Sequence, residues 1–284
     1  VTLRELAAAA ETQLQASPHP DRARRDAEAL LLHALHQDRA WLLANWSDDA
    51  ALEIQGDYEA AVARRLVGEP LQYITGESEF FGLPFSVGPG VLIPRPETEH
   101  LVEEVLRLAA QLPQGEIEIA DIGTGSGIIA VALANELPKA RLTAIDLSPQ
   151  ALTIARENAD RHHVSDRITF LEGDLLRPLA GQLFNVIASN PPYIPQGDHD
   201  SLAVEVRDHE PHNALFAGED GLAIYQRLVP EARAYLSPDG WLVLEIGYNQ
   251  QPAIQRLLDE SHYRNIHFLP DYQGIPRVAV GQRP

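Results

Sequence analysis

Residues 190–193, Asn-Pro-Pro-Tyr, follow an apolar run at 184–189 and have the types needed to hold a planar amine. The side-chain oxygen of Asn190 and the main-chain carbonyl of Pro191 can each accept one N–H of an NH2 group. Both acceptors also favour positive charge growing on that nitrogen. Pro191 and Pro192 lack amide donors and stiffen the loop, so its carbonyls can be aimed. Tyr193 offers a flat face on which a planar group can stack. Taken alone, the tetrapeptide also reads as a stiff turn closing a strand, with Tyr193 as packing.

A second group of candidate residues lies upstream. Residues 118–122, Glu-Ile-Ala-Asp-Ile, read as a strand running into Gly123-Thr124-Gly125-Ser126-Gly127 and then a helix. Glycines at such a turn let backbone approach a ligand closely. Asp146 ends the next expected strand, about 20 positions on, where a carboxylate can accept both hydroxyls of a ribose. Gly125-Ser126-Gly127-Ile128-Ile129-Ala130 also fits the dinucleotide fingerprint, so the turn leaves a nicotinamide cofactor open. Two details favour S-adenosylmethionine. Asp121 lies inside the strand end, placed to face a cationic methionine tail, and the turn begins at Gly123, directly after the strand. The pattern Asp121-x-Gly123-x-Gly125-x-Gly127 resembles the first motif of class I methyltransferases. By that resemblance Asp174, ending the third strand, contacts the adenine amine. The chemistry at 190–193 is then an in-line displacement from a sulfonium. Its rate comes from holding a weakly nucleophilic nitrogen about 3–3.5 Å from the methyl group, and no strong general base is needed.

These residues need a frame that brings strand ends to one edge. After Gly115, strands are expected at 117–122, 141–146, 167–172, 184–189, 241–246, 264–269 and 276–281. Helices are expected at 127–136, 149–161, 219–236 and 250–261. Such alternation predicts a mostly parallel sheet covered on both faces, with ligands beyond the carboxyl ends of the strands. Before it, apolar spacing predicts helices at 21–37 and 48–67 in a small helical bundle. Residues 72–87 read as a β-hairpin, and Pro96 as the opening of a helix to about 112. The polar stretch 196–218 reads as a loop near the site. Arg95 and Glu97 either line the cofactor pocket or only start that helix, and Glu245 ends the fifth strand on the active edge in an open role.

The 284 residues suffice for one large domain, or for a large one and a small one, and 45% hydrophobic with 22% charged residues is an ordinary globular composition. No apolar run approaches the roughly 20 residues that cross a bilayer, and residues 1–11 lack the apolar core of a signal peptide. The expectation is a cytoplasmic protein with no membrane partner, a monomer being favoured. Absence of cysteine excludes disulfides, thiolate metal sites and cysteine nucleophiles. The net charge of −19 argues against a grip on naked nucleic acid. The basic clusters Arg22-Ala23-Arg24-Arg25 and Arg64-Arg65 read as solvated helix faces. Histidines at 162–163 and among residues 199–212 read as loop and surface groups; the transfer requires no metal, and none is expected.

The chain resembles the release factor glutamine methyltransferases, also called the PrmC/HemK family, over nearly its whole length. The likeness runs through the helical N-terminus, Gly68-Glu69-Pro70-Leu71-Gln72-Tyr73-Ile74-Thr75-Gly76, and Leu92-Ile93-Pro94-Arg95-Pro96-Glu97-Thr98-Glu99. It continues through 121–127, 190–194 and Glu210-Pro211. The stretch at 93–99 is far more specific than the 190–193 loop, which many nitrogen methyltransferases share. The resemblance implies a class I, Rossmann-like seven-stranded α/β domain at 93–284, a hairpin linker at 71–92, and a helical domain at 1–70 that helps dock the release factor. It implies methylation of the glutamine amide in the Gly-Gly-Gln motif of class 1 peptide chain release factors. Gly123, Thr124, Gly125, Ser126, Gly127, Asp146 and Asn190 would hold S-adenosylmethionine, and Asn190, Pro191, Pro192 and Tyr193 the glutamine. Leu175 stands where some members place an aromatic residue near the adenine. The rival reading is a methyltransferase acting on an adenine or guanine amine in nucleic acid.

Overall fold

Thr2 caps the first helix, α1 (Leu3–Leu14). Its hydroxyl accepts from the Glu5 amide while the Glu5 carboxylate accepts from the Thr2 amide, so two otherwise orphaned donors are satisfied. The computed structural model describes residues 1–113 and 115–284. It continues with α2 (Ala23–Leu35), α3 (Arg39–Ala44), α4 (Leu52–Leu66) and α5 (Leu71–Thr75). Leu3, Leu14, Leu30, Leu31, Leu42 and Tyr58 form one buried cluster, each contributing about 1.5–3 kcal/mol. Arg65 is not on a solvated face as its basic pair suggested: it is 1% exposed. A buried guanidinium needs partners. It finds them in Asp26 (2.7 Å), the Glu69 carbonyl (2.9 Å) and Glu205 (3.1 Å).

Gly76 takes the left-handed conformation that ends α5, so residues 72–75 are helical and the hairpin is shorter than the apolar pattern suggested. It comprises β1 (Glu77–Phe80) and β2 (Leu83–Ser86), turning at Phe81 and Gly82, both at positive φ. A 3-10 turn, Pro96–Thr98, then leads into α6 (Glu99–Ala109).

The remaining elements are β3 (Ile117–Ile122), α7 (Ile128–Glu136), β4 (Ala140–Asp146), α8 (Pro149–Arg161), β5 (Ile168–Glu172) and β6 (Phe184–Ser189). They are followed by α9 (Val204–His209), α10 (His212–Leu215), α11 (Ala223–Tyr235), β7 (Leu236–Glu245), α12 (Gln251–Glu260), β8 (Arg264–Pro270) and β9 (Pro276–Gln282). The seven-stranded sheet has the order β5-β4-β3-β6-β7-β9-β8. Its first five strands are parallel, and β9 runs antiparallel to both neighbours. The mostly parallel, doubly covered sheet read from the sequence is therefore present. Alternate residues feed opposite layers: Ile119, Val186 and Val243 pack with α6 and α7, while Ala120, Ile187 and Leu242 pack with α11 and α12.

The polar stretch read as a loop at 196–218 carries a 3-10 turn, Gln196–Ser201, as well as α9 and α10. These helices are too short to show an apolar period. The chain forms two compact units, Val1–Glu77 with Leu202–His209, and Ser78–Ser201 with Glu210–Pro284. The residues 202–209 belong with the helical unit, where Glu205 meets Arg65, Arg22 and His19. No helix among the described residues is long and apolar enough to cross a membrane.

Candidate functional site

Strand register sets the site. Ile122 pairs with Ile145 on one side and Ser189 on the other, so Gly123, Asp146 and Asn190 emerge side by side. Chain order reverses about β3, with β4 on one side and β6 on the other, and ligands of open α/β sheets lie at such a point. A cleft there is lined by Gly123, Thr124, Gly125, Ser126, Asp146, Asp174, Leu175, Asn190, Pro191 and Pro192. Asp121, Gly127 and Tyr193 are not among the lining residues.

The glycines do two jobs. Gly123 and Gly125 have φ of 74° and 56°, and a Cβ on either would meet no protein atom within 4 Å. Their requirement is the left-handed backbone at an open wall. Gly127 also has positive φ, but its Cβ would stand 3.0 Å from that of Ala155; its smallness lets α7 pack on α8. The Gly123 and Thr124 amides both donate to the Ile145 carbonyl, pinning the turn to β4.

Asp146 closes this turn from the neighbouring strand. Its Oδ2 accepts from the Gly125 amide (2.8 Å) and its Oδ1 from the Ser148 amide (2.9 Å). An ionised carboxylate has about four acceptor sites, so capacity is left for a hydroxyl donor in the cleft beyond the amides that hold it. Burial pushes its pKa up, against the pull of those amides. Asp121 is wholly buried and its Oδ2 accepts from the Thr124 hydroxyl at 2.6 Å. Its Oδ1 is buried without a well-formed hydrogen bond, and the Ala130 amide acts on the carboxyl to oppose the effect of burial. Burial raises the Asp121 carboxyl to about 7, with the Thr124 bond opposing and the nearby Asp146 adding to the rise. A buried acid short of donors, one layer behind a wall of amides and hydroxyls, fits a cationic ligand group. The residues present thus suit a nucleoside ligand with a positively charged tail. Asp174 lines the cleft and accepts from Arg227 at 2.7 Å, the bond that chiefly lowers its pKa. Leu175 follows it with φ of 53°, an unusual conformation for leucine.

On the other side of the cleft, Asn190 donates from Nδ2 to Thr98 Oγ1 (3.1 Å), and Thr98 donates to Glu245 Oε2 (2.6 Å). Tyr193 donates from its hydroxyl to Glu245 Oε1 (3.4 Å), and its ring packs on the core layer of α11. Its carbonyl accepts from Gln250 Nε2 at 2.9 Å. Gly221 is needed beside it, since a Cβ there would lie 2.2 Å from that carbonyl. Burial lifts the Tyr193 phenol well above its ordinary pKa, and lifts Glu245 to about 7. Arg95 lines the cleft and is held by Glu210 Oε1 at 2.6 Å, while Glu210 Oε2 accepts from the Ile93 amide. His199 and His212 pack edge to face against each other, both beside Phe216.

The sequence signalled Arg95 and Glu245 by position without deciding their roles. Thr98 lies inside the 93–99 stretch, and its contact 147 residues away left no local mark. Asn213, Ala214 and Ile224 also line the cleft and carried no signal.

Comparison with known proteins gives the family and the fold. Two family descriptions match, the PrmC N-terminal domain at residues 5–76 and the methyltransferase small domain at residues 104–208. A release factor glutamine methyltransferase of Koribacter versatilis is 43% identical, with 100% of this chain and 99% of that protein covered. The one from Moorella thermoacetica is 44% identical, covering 100% and 99%; that of Escherichia coli is 40% identical, covering 95% of each. Among solved structures, the T. thermophilus 16S rRNA N2 methyltransferase RsmC, bound to AdoMet and guanosine, aligns with a TM-score of 0.54. It is 19% identical, with 73% of this chain and 50% of that one covered. The N-terminal domain of human METTL16 with SAH gives 0.52 at 17% identity, covering 72% and 77%. These two share the fold. The full-length matches above 40% identity go further: the chain belongs to the release factor glutamine methyltransferase family.

Proposed function

We propose that this enzyme methylates the side-chain amide nitrogen of the glutamine in the Gly-Gly-Gln motif of class 1 peptide chain release factors. The observation that carries the reading is the shared cleft, where the acceptors Asn190 and Pro191 stand on the same sheet edge as the glycine turn and Asp146. S-adenosylmethionine, when bound, supplies the methyl group on a sulfonium. Gly123, Thr124, Gly125 and Ser126 line its place, Asp146 accepts ribose hydroxyls, and Asp121 neutralises the tail through the wall. Asp174 and Leu175 border the base. The Asn190 Oδ1 and the Pro191 carbonyl accept the two N–H bonds of the glutamine amide. Acceptors at that spot orient the nitrogen and stabilise the positive charge that develops on it. Pro192 keeps the loop stiff, and Tyr193 supports it from behind.

The helical domain, residues 1–70, docks the release factor, with 71–92 as linker and 93–284 as the transferase. With such a substrate the enzyme works in the cytoplasm. Incubation with labelled S-adenosylmethionine and, separately, a release factor, DNA and ribosomal RNA tests the reading. Label is expected in the release factor and lost when its motif glutamine is replaced. Label in nucleic acid alone contradicts it.

A further inference from the structure

Thr98 ends the 3-10 turn that runs into α6; its backbone is already helical (φ −67°, ψ −20°) and its hydroxyl makes no cap to that helix. The hydroxyl is fully buried and turned instead to Glu245, a carboxylate 1% exposed at the end of β7. Burying a carboxylate is costly unless it is held by donors. Thr98 and Tyr193 supply those donors, one to each carboxylate oxygen; a buried hydroxyl committed to a buried carboxylate beside the cleft points to a purpose beyond folding.

Hydrogen-bond arithmetic supplies one. A threonine hydroxyl has a single proton. With that proton given to the Glu245 carboxylate, Thr98 Oγ1 can only accept from Asn190. The Asn190 group facing Thr98 must then be Nδ2, as observed. The amide is thereby fixed in one of its two flips, with Oδ1 free for a donor in the cleft that Asn190 lines. The opposite flip would present N–H to the N–H of the substrate and hold nothing. Tyr193 fills the other oxygen of Glu245, so the same carboxylate braces both ends of the 190–193 loop.

Resting on the proposed methylation of a glutamine amide, we propose that Thr98 and Glu245 are positioning residues for that transfer, acting through Asn190 by fixing which atom of its amide meets the substrate. The relay requires ionised Glu245, since a protonated carboxyl can donate to Thr98 and release its proton towards Asn190. The groups facing Glu245 are Glu97 from the turn before α6, Tyr193 from the β6 loop, Arg277 from β9 and Tyr225 from α11, whose hydroxyl donates to the Glu245 carbonyl. Arg277 favours the ionised form, and Glu97 together with burial opposes it.

The test is steady-state and pH-dependent methylation of a release factor by the full chain bearing T98V, T98S or E245Q. Melting curves and calorimetry with S-adenosylhomocysteine report folding and cofactor binding. T98V is expected to lower kcat about 30-fold or more, the scale of losing one oriented group at a charge-developing centre. Its affinity for S-adenosylhomocysteine should stay within about 3-fold, and T98S should restore kcat, because a hydroxyl and not a shape is required. E245Q should lose the acidic limb of the kcat profile. Adding E245Q to T98V should lower kcat no further, as for residues acting as one unit. A T98V enzyme with wild-type kcat, or a folded T98S enzyme as slow as T98V, overturns the relay. Should E245Q not fold, the T98V and T98S pair decides alone. Failure of the wild-type enzyme to methylate a release factor would instead overturn the proposed function.

Discussion

The Oδ2 atom of Asp146 lies 2.8 Å from the amide nitrogen of Gly125. The acid at the end of β4 therefore shapes the glycine turn as well as facing the cleft. Asp146→Ala is expected to weaken S-adenosylhomocysteine binding by about 10- to 100-fold, the loss of a hydrogen-bonded charged partner together with a loosened turn. Isothermal titration checks this, and an unchanged dissociation constant would remove Asp146 from the cofactor site.

Asn190→Ala separates binding from turnover. Loss of the acceptor at the reacting nitrogen should lower kcat by about 100- to 1000-fold. Cofactor affinity should change far less, since the glycine turn and Asp146 keep their own hydrogen bonds to one another when Asn190 is shortened. Near-normal turnover by this variant on a release factor would contradict the assigned chemistry.

The glycines give a contrasting pair. Gly127→Ala forces a left-handed alanine against Ala155 and should cost about 1–3 kcal/mol of stability. Gly123→Ala meets no protein atom and should cost about 1–2 kcal/mol from backbone conformation. Its methyl group stands at the open wall, so it should weaken cofactor binding more than Gly127→Ala does, relative to its effect on melting temperature. The reverse ranking would exchange the two roles.

Asp121 makes a pH prediction. Burial raises its folded pKa to about 7, above the ordinary aspartate value. The folded state then holds the proton more tightly than the unfolded state, so this group's contribution is favourable at low pH and is lost as pH rises towards about 7. A cationic ligand tail reverses the preference by favouring the carboxylate. S-adenosylhomocysteine should therefore bind more tightly at about pH 8 than at about pH 6, with proton release, and Asp121→Asn should abolish the dependence. A pH-independent affinity in the wild-type enzyme would deny Asp121 that role.

Much of this site was legible because parallel strands end level. Once β3, β4 and β6 were recognised by their apolar runs, Gly123, Asp146 and Asn190 had to meet at one edge, and they do. What stayed hidden depends on partners distant in sequence. Arg65 looked like surface charge because Asp26 and Glu205 lie 39 and 140 residues away. The same distance concealed α9, whose six residues show no apolar period yet return to the helical unit. Thr98 carried no mark of its own, since nothing local reveals that its hydroxyl serves Glu245. The flat face of Tyr193 was legible from its type; that its hydroxyl is directed to Glu245 and its ring packs beside the core was not.

The central claim is the identity of the methylated nitrogen, and tandem mass spectrometry of a class 1 release factor after incubation with the enzyme and S-adenosylmethionine tests it most directly. The account predicts one added methyl group on the side-chain amide of the Gly-Gly-Gln glutamine, absent with Asn190→Ala. A methyl group on any other residue, or none on a release factor that the active enzyme has met, would contradict it.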